Sequence, residues 1–376
     1  MRGDHSESIH FFCGCRRWTY QNGSSFGTVY QSPYSDAKVK VVDALKEVNY
    51  IYDKLICKGY HFVATKTPAI FGHMYHNTND NSPLSKFVPK MNHALSKRLL
   101  SLIHEFEPDI IVATHPFVAE MVSHLKGKGF IDAKLLVVMT DYAPHKTWIA
   151  EHVDGYIVAN DDMVIPMVQD FGVEPEKIHP FGIPILETFF HPQPKDSLRR
   201  EMGLAPDKPT ILLMAGSFGV KTIVQIYRDI IRVPMDFQMI VITGKNQRLY
   251  QTLKTTVMLS PKKTKLILFT QKVEQYMQAS DLIITKPGGL TVTEALASNL
   301  PLLVFDSIPG QEEDNADFLE LHGMARRLHK NESCTDALKE LLADKMQLAS
   351  MEQACKNFDQ SDGCAKIVSL MKDMIK

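Results

Sequence analysis

The chain has 376 residues, enough for two domains with sizeable cores, and a formal net charge of −1. With 23% charged and 44% hydrophobic residues it reads as an ordinary globular protein, and no overall basicity argues for a nucleic-acid partner. No apolar run approaches the roughly 18 residues a membrane-crossing helix needs, and the acidic start, Met1 to Glu7, predicts no signal peptide.

Six cysteines are present: Cys13, Cys15, Cys57, Cys334, Cys355 and Cys364. Only Cys13 and Cys15 are close together, and they lack the second pair of a structural zinc site. Reduced thiols in the cytoplasm, or at its membrane surface, are the expectation.

Residues 7–30 read poorly as a first strand–helix unit. From about residue 38, short β-branched runs alternate with longer amphipathic stretches. Strands are predicted at Lys38–Val42, Asp109–Ala113, Lys134–Thr140 and Gly155–Ala159. A second series falls at Thr210–Ala215, Gln238–Thr243, Lys265–Phe269, Asp281–Thr285 and Pro301–Phe305. Continuous apolar strands spaced for crossover helices imply parallel sheets covered on both faces. The Pro- and Gly-rich stretch from Phe181 to Pro194 separates the series and places a domain boundary near residue 190.

In the first half, Thr114-His115-Pro116-Phe117 follows one strand and Asp141-Tyr142-Ala143-Pro144-His145-Lys146-Thr147-Trp148 follows another. Both put titratable groups at strand ends, where parallel sheets bind ligands. A base among them would be Asp141 or His145, with His115 next. Each also has a plain structural role open to it: Asp141 as a loop cap, His115 as a satisfied histidine, Trp148 as core. Residues 36–98 carry ten Lys and Arg against five Asp and Glu. Within Ser85–Ile103 every charge is basic, and Phe87, Met91, Leu95, Leu99 and Leu100 recur at helical spacing. That pattern suits a helix on an anionic membrane surface, or a helix packed on its own domain.

In the second half, Met214-Ala215-Gly216-Ser217-Phe218-Gly219 follows a strand and could cradle phosphate or simply turn the chain. A stronger signal is Thr285-Lys286-Pro287-Gly288-Gly289-Leu290-Thr291-Val292-Thr293-Glu294. Its glycines leave amides open at a helix start, and Thr291 and Thr293 can cap or bond phosphate oxygens. Glu294 could accept hydrogen bonds from ribose hydroxyls or serve only the helix dipole. A third loop, Pro309-Gly310-Gln311-Glu312, adds polar groups at another strand end, with Asn315 a candidate helix cap.

Together, Thr285–Ala295 and Pro309–Phe318 give this sequence its resemblance to the diacylglycerol glycosyltransferase family, over roughly residues 38–370. That family includes monogalactosyldiacylglycerol synthases and processive diacylglycerol glucosyltransferases. The resemblance implies an α/β fold of the GT-B type, two Rossmann-like doubly wound domains with an interdomain cleft. Residues 31–190 would be the acceptor and membrane-facing domain, and 191–376 the UDP-sugar domain with a C-terminal helix. It implies that Gly288, Gly289, Thr291, Ser217 and the adjoining Gly216 meet the diphosphate. Glu294 would hold the ribose, Gln311 and Glu312 the sugar, and backbone around Phe269–Val273 the uracil.

The reaction so implied is inverting transfer of a hexose from UDP-glucose or UDP-galactose to diacylglycerol, by an enzyme peripheral on the inner face of the cell membrane. No cofactor and no essential metal are expected, since Asp161 and Asp162 read as a helix start. Alternatives are transfer of N-acetylglucosamine to a lipid-linked peptidoglycan precursor, and a non-catalytic UDP-sugar-binding protein.

The start departs from the family, whose members open with a strand, a glycine-rich turn ending in His, and an alanine-rich helix. Read one base later, permitted codons for residues 7–30 can give KVFIFSAAAGGGHIKTAAALEQFI. A local frameshift, with the frame restored near Gln31, is the explanation this compatibility suggests. The epimer of the sugar and the number of sugars added are not written in the sequence.

Overall fold

The computed structural model describes residues 38–44, 99–214, 219–305, 310–329 and 332–376, and the backbone of 7–12. The chain forms two compact units. One takes residues up to Leu186 with 308–311 and 362–376, and the other takes Glu187–Ser307 with Glu312–Ser361.

The first unit is built on a parallel sheet of β1 (Glu7–Phe12), β2 (Lys38–Asp43), β3 (Ile110–Ala113), β4 (Lys134–Val138), β5 (Gly155–Ile157) and β6 (Ile178–His179). Their order is β2-β1-β3-β4-β5-β6. β3 is buried throughout and β4 beyond its first residue, as strands covered on both faces must be. The poor reading of residues 7–30 is corrected at its beginning. Glu7–Phe12 is a central strand, paired with Lys38–Asp43 on one side and Ile111–Ala113 on the other. Ile9, Phe11 and Phe12 favour a strand, and a ladder is available on both edges. Residues 13–30, where the glycine turn was sought, lie outside the described residues.

The second unit carries β7 (Thr210–Met214), β8 (Gln238–Ile242), β9 (Thr264–Ile267), β10 (Leu282–Thr285), β11 (Leu302–Phe305) and β12 (Ala325–Leu328). They lie in the order β12-β11-β10-β7-β8-β9, all parallel. This is the doubly wound nucleotide-binding order, whose direction reverses between β7 and β10. Its core gathers Ile211, Leu213, Tyr227, Phe237, Met239, Val241, Ile284 and Leu303. β12 escaped prediction because Arg326 and Arg327 interrupt it. At the sheet edge both are ion-paired, Arg326 with Glu332 and Glu340, and Arg327 with Glu313 and Asp317.

Residues 191–376 do not pack as one body. The last helix, Gly363–Ile375, sets Ile367, Val368 and Met371 against Ile110, Val112, Leu136, Val138 and Ile157 of the first sheet. Gly363 is required there, because a Cβ would collide with the carbonyl of Phe181. An amphipathic helix announces that it needs a partner surface but not which one.

Of the predicted surface helix, residues 85–98 lie outside the described residues. Its described end packs inward, with Leu99 and Ile103 buried. Among the described residues no helix is long and apolar enough to cross a membrane.

Candidate active site

In the second unit the sheet reverses its winding between β7 and β10, so the loops after these strands flank the crevice where such sheets take ligands. The Thr285 hydroxyl donates to the Met214 carbonyl at 3.4 Å, joining the two strand ends. Gly216 and Ser217, in the loop after β7, lie outside the described residues. After β10 the Gly288 amide donates to the Lys286 carbonyl at 2.8 Å in a tight turn. Helix α1 (Gly289–Ala297) follows, with Gly288 as its N-cap and no side-chain cap. Among the described residues no side chain caps the first-turn amides at Gly289, Leu290 and Thr291, an arrangement suited to receiving anions.

Helix α1 also decides between the two readings of Glu294. The third helical residue is Thr291, so Glu294 sits beyond the capping position, and it is buried. Burial, helped by the charge of Glu274, raises its pKa to about 8. Glu274 belongs to the helix Val273–Gln278. Val273 is buried, whereas Phe269, past the end of β9, is half exposed with the Lys245 ammonium 5.5 Å from its ring. Thr293 is buried, and its hydroxyl donates to the Gly289 carbonyl at 2.8 Å.

Helix α2 (Gln311–Leu321) braces the turn. Glu312 pairs with Lys286. The Asn315 amide, buried rather than capping, donates to the Pro287 carbonyl at 2.9 Å. Neither Lys286 nor Asn315 was singled out as a site residue in the sequence. The signal available was their place inside the two matching motifs.

In the first unit the winding reverses between β1 and β3. His115 follows β3 and caps the helix Pro116–Gly127, its Nδ1 accepting the Phe117 amide at 3.3 Å. Although partly exposed, its ring is desolvated enough to lower the pKa to about 4. After β4, His145 Nδ1 accepts the Thr147 amide at 3.2 Å and meets Thr147 Oγ1 at 2.8 Å. Both imidazoles thus use Nδ1 as an acceptor, which leaves Nε2 carrying the proton.

Asp141 is different. Its Oδ2 accepts the buried Trp148 indole at 3.3 Å and the Gln311 amide at 3.1 Å. Gln311 therefore meets Asp141, while Glu312, next to it in the same helix, pairs with Lys286. The loop bearing Asp141 is held by Asn160, whose amide donates to the Tyr142 carbonyl at 3.1 Å. Asn160, Asp161 and Asp162 do begin a short 3-10 helix, Asp161–Met163.

Two doubly wound parallel-sheet units, one with a glycine-headed helix at its crossover, make up a GT-B fold. The same fold is found in Acinetobacter baumannii MurG, with a TM-score of 0.65 over 98% of this chain and 99% of that one, at 13% identity. It is found again in the S. aureus MnaA–UDP co-structure, with a TM-score of 0.66 over 96% and 95% of the two chains, at 14% identity. The sequence model of monogalactosyldiacylglycerol (MGDG) synthase matches residues 25–185, and that of the glycosyltransferase family 28 C-terminal domain matches 210–367.

The processive diacylglycerol beta-glucosyltransferase of Bacillus licheniformis is 33% identical over 274 residues, spanning 73% of this chain and 71% of that protein. Its Bacillus subtilis counterpart is 31% identical over 282 residues, spanning 75% and 72%. The chain belongs to the diacylglycerol glycosyltransferase family.

Proposed function

We propose that this protein transfers a hexose from a UDP-sugar to diacylglycerol with inversion at the anomeric carbon. The observation that carries the donor half is helix α1, an uncapped glycine-headed N-terminus with a buried carboxyl two turns in. Diphosphate oxygens would meet the amides of Gly289 to Thr291, and ribose hydroxyls would donate to Glu294. The uracil would lie by the backbone of Phe269–Val273, and Glu312, oriented by Lys286, would read a hexose hydroxyl. Gly216 and Ser217 would complete the phosphate cradle. This scheme requires no metal, because the helix terminus and its amides meet the developing charge on UDP.

For the acceptor, Asp141 is the base. As the glycerol oxygen bonds to the anomeric carbon, the bond to the UDP oxygen breaks and UDP leaves with its electron pair. The hydroxyl proton passes to Asp141, which the Trp148 and Gln311 donors hold in place. His115 and His145, protonated at Nε2, serve as hydrogen-bond donors rather than bases. The acceptor is a lipid, so the enzyme works on an anionic membrane surface, at the inner face of the cell membrane, with the basic stretch 85–98 contributing.

Incubation with diacylglycerol and either UDP-glucose or UDP-galactose tests the reading. A glycosyldiacylglycerol product is expected, and the preferred donor identifies the sugar. Binding of UDP-sugar without turnover would favour the second reading, a non-catalytic binding protein. The same assay on a chain carrying the shifted-frame segment is expected to show activity higher by orders of magnitude. Equal activity of the two forms, or a stop codon in the later frame of the gene, removes the frameshift explanation.

A further inference from the structure

Between Asp236 and Glu274 the chain has no acidic residue, whereas it has seven basic ones: Lys245, Arg248, Lys254, Lys262, Lys263, Lys265 and Lys272. In a protein whose net charge is −1, this tract concentrates positive charge along one edge of the second unit. It contains the helix Gln247–Met258 and the edge strand β9. The helix turns Leu249 and Leu253 into the core, with Val257 packed against it. Its opposite side exposes Arg248, Gln251, Lys254, Thr255 and Met258, which share a face at helical spacing.

The helix ends in an apolar pair open to solvent, Met258 at 78% exposure and Leu259 at 82%. Lys263, also exposed, follows within four residues. Other large hydrophobics are equally exposed, Leu321 at 81% and Met346 at 84%. Those two, however, stand beside Glu320 and within two residues of Asp344, where an anionic partner is disfavoured. Among these, the pair at 258–259 alone combines full exposure with a stretch of sequence free of acids.

We propose that this edge of the second unit is a lipid-contact surface: Met258 and Leu259 enter the headgroup region of an anionic bilayer while Arg248, Lys254 and Lys263 bind its phosphates. Apolar tips ringed by cations are what an anionic interface rewards, since it takes up both area and charge. A soluble polyanion such as RNA would use the cations and leave the apolar pair idle. The surface rests on the reading of a lipid acceptor, and it adds a membrane contact on the unit that holds the nucleotide site. It is distinct from the basic stretch 85–98 of the first unit.

The test is co-sedimentation of the full chain with vesicles of phosphatidylglycerol and phosphatidylcholine, and with phosphatidylcholine alone. Each basic residue near such a surface contributes about 1 kcal/mol, or about fivefold in partitioning. Lys254→Gln with Lys263→Gln is therefore expected to lower partitioning to the anionic vesicles by about tenfold or more. Met258→Ser with Leu259→Ser is expected to lower it about as much.

UDP binding and transfer to detergent-dispersed diacylglycerol should be unchanged in both variants. These readouts report on the transferase reading separately from the surface. Unaltered partitioning of both variants overturns the proposal. A loss confined to the lysine variant also overturns it and indicates a soluble polyanion instead.

Discussion

The two candidate half-sites are made of different materials. In the second unit the anion-receiving feature is backbone: amides at Gly289 to Thr291, opened by a glycine N-cap. In the first unit the candidate base is held by side chains, with Asp141 fixed by Trp148 and by Gln311, which is 170 residues away in sequence. Backbone sites tolerate side-chain change but depend on the turn being held. Side-chain sites fail when one atom is altered.

The contrast is sharpened most by Asp141→Asn. Loss of the proposed base should lower kcat by about 10²–10⁴-fold, while calorimetric affinity for UDP stays within about twofold of the parent. A variant retaining more than a tenth of the activity would move the base elsewhere.

Glu294→Gln tests the donor residue proposed to hold the ribose through its side chain. Above pH 8, where the carboxyl is ionised, losing the charged acceptor should weaken UDP binding by about 10–100-fold, the range of a hydrogen bond to a charged group, and by less at pH 7. The same variant has a pH signature. A carboxyl with its folded pKa raised from 4.5 to about 8 stabilises the fold most fully at low pH and loses that contribution as pH rises through about 8. Thermal stability of the parent should therefore fall between about pH 4.5 and 8, and Glu294→Gln should flatten that slope. Parallel melting profiles would contradict it.

Asn315→Ala releases the Pro287 carbonyl and with it the turn. About 1 kcal/mol, or about fivefold, is expected in KM for the UDP-sugar, with kcat changed less. An effect on kcat alone would show that Asn315 does not act through the donor turn.

The smallest effect belongs to His115. His115→Asn keeps a capping oxygen, so stability at pH 7 should change by no more than about 0.5 kcal/mol. A histidine whose folded pKa is lowered to about 4 withdraws stability as pH falls from its ordinary 6.5 through that value. The variant should therefore resist acid unfolding better than the parent, as a fluorescence-monitored titration between pH 7 and 4 would reveal.

Much of the second unit was legible because a glycine-headed helix after an apolar strand is a local property, decided by residues within one turn. Its strands differ from prediction chiefly by a residue or so at their ends. The roles of individual side chains were less legible. Thr293 looks like a phosphate ligand in sequence, yet its hydroxyl reaches back to the Gly289 carbonyl. Asn315 looks like a cap, yet it is buried against the Pro287 carbonyl.

By itself the sequence determined that there are two parallel-sheet halves, where the nucleotide turn lies, and which family the chain joins. These follow from periodicity and short-range spacing, which the chain carries without folding. Tertiary structure alone decided that Glu7–Phe12 is a central strand, and that Gly363–Ile375 returns to the first sheet. It also decided that the Gln311 side chain meets Asp141 while the adjacent Glu312 pairs with Lys286. Each of these depends on which distant surface is left unpaired, and free strand edges, apolar faces and carboxylate oxygens select partners by space rather than by order along the chain.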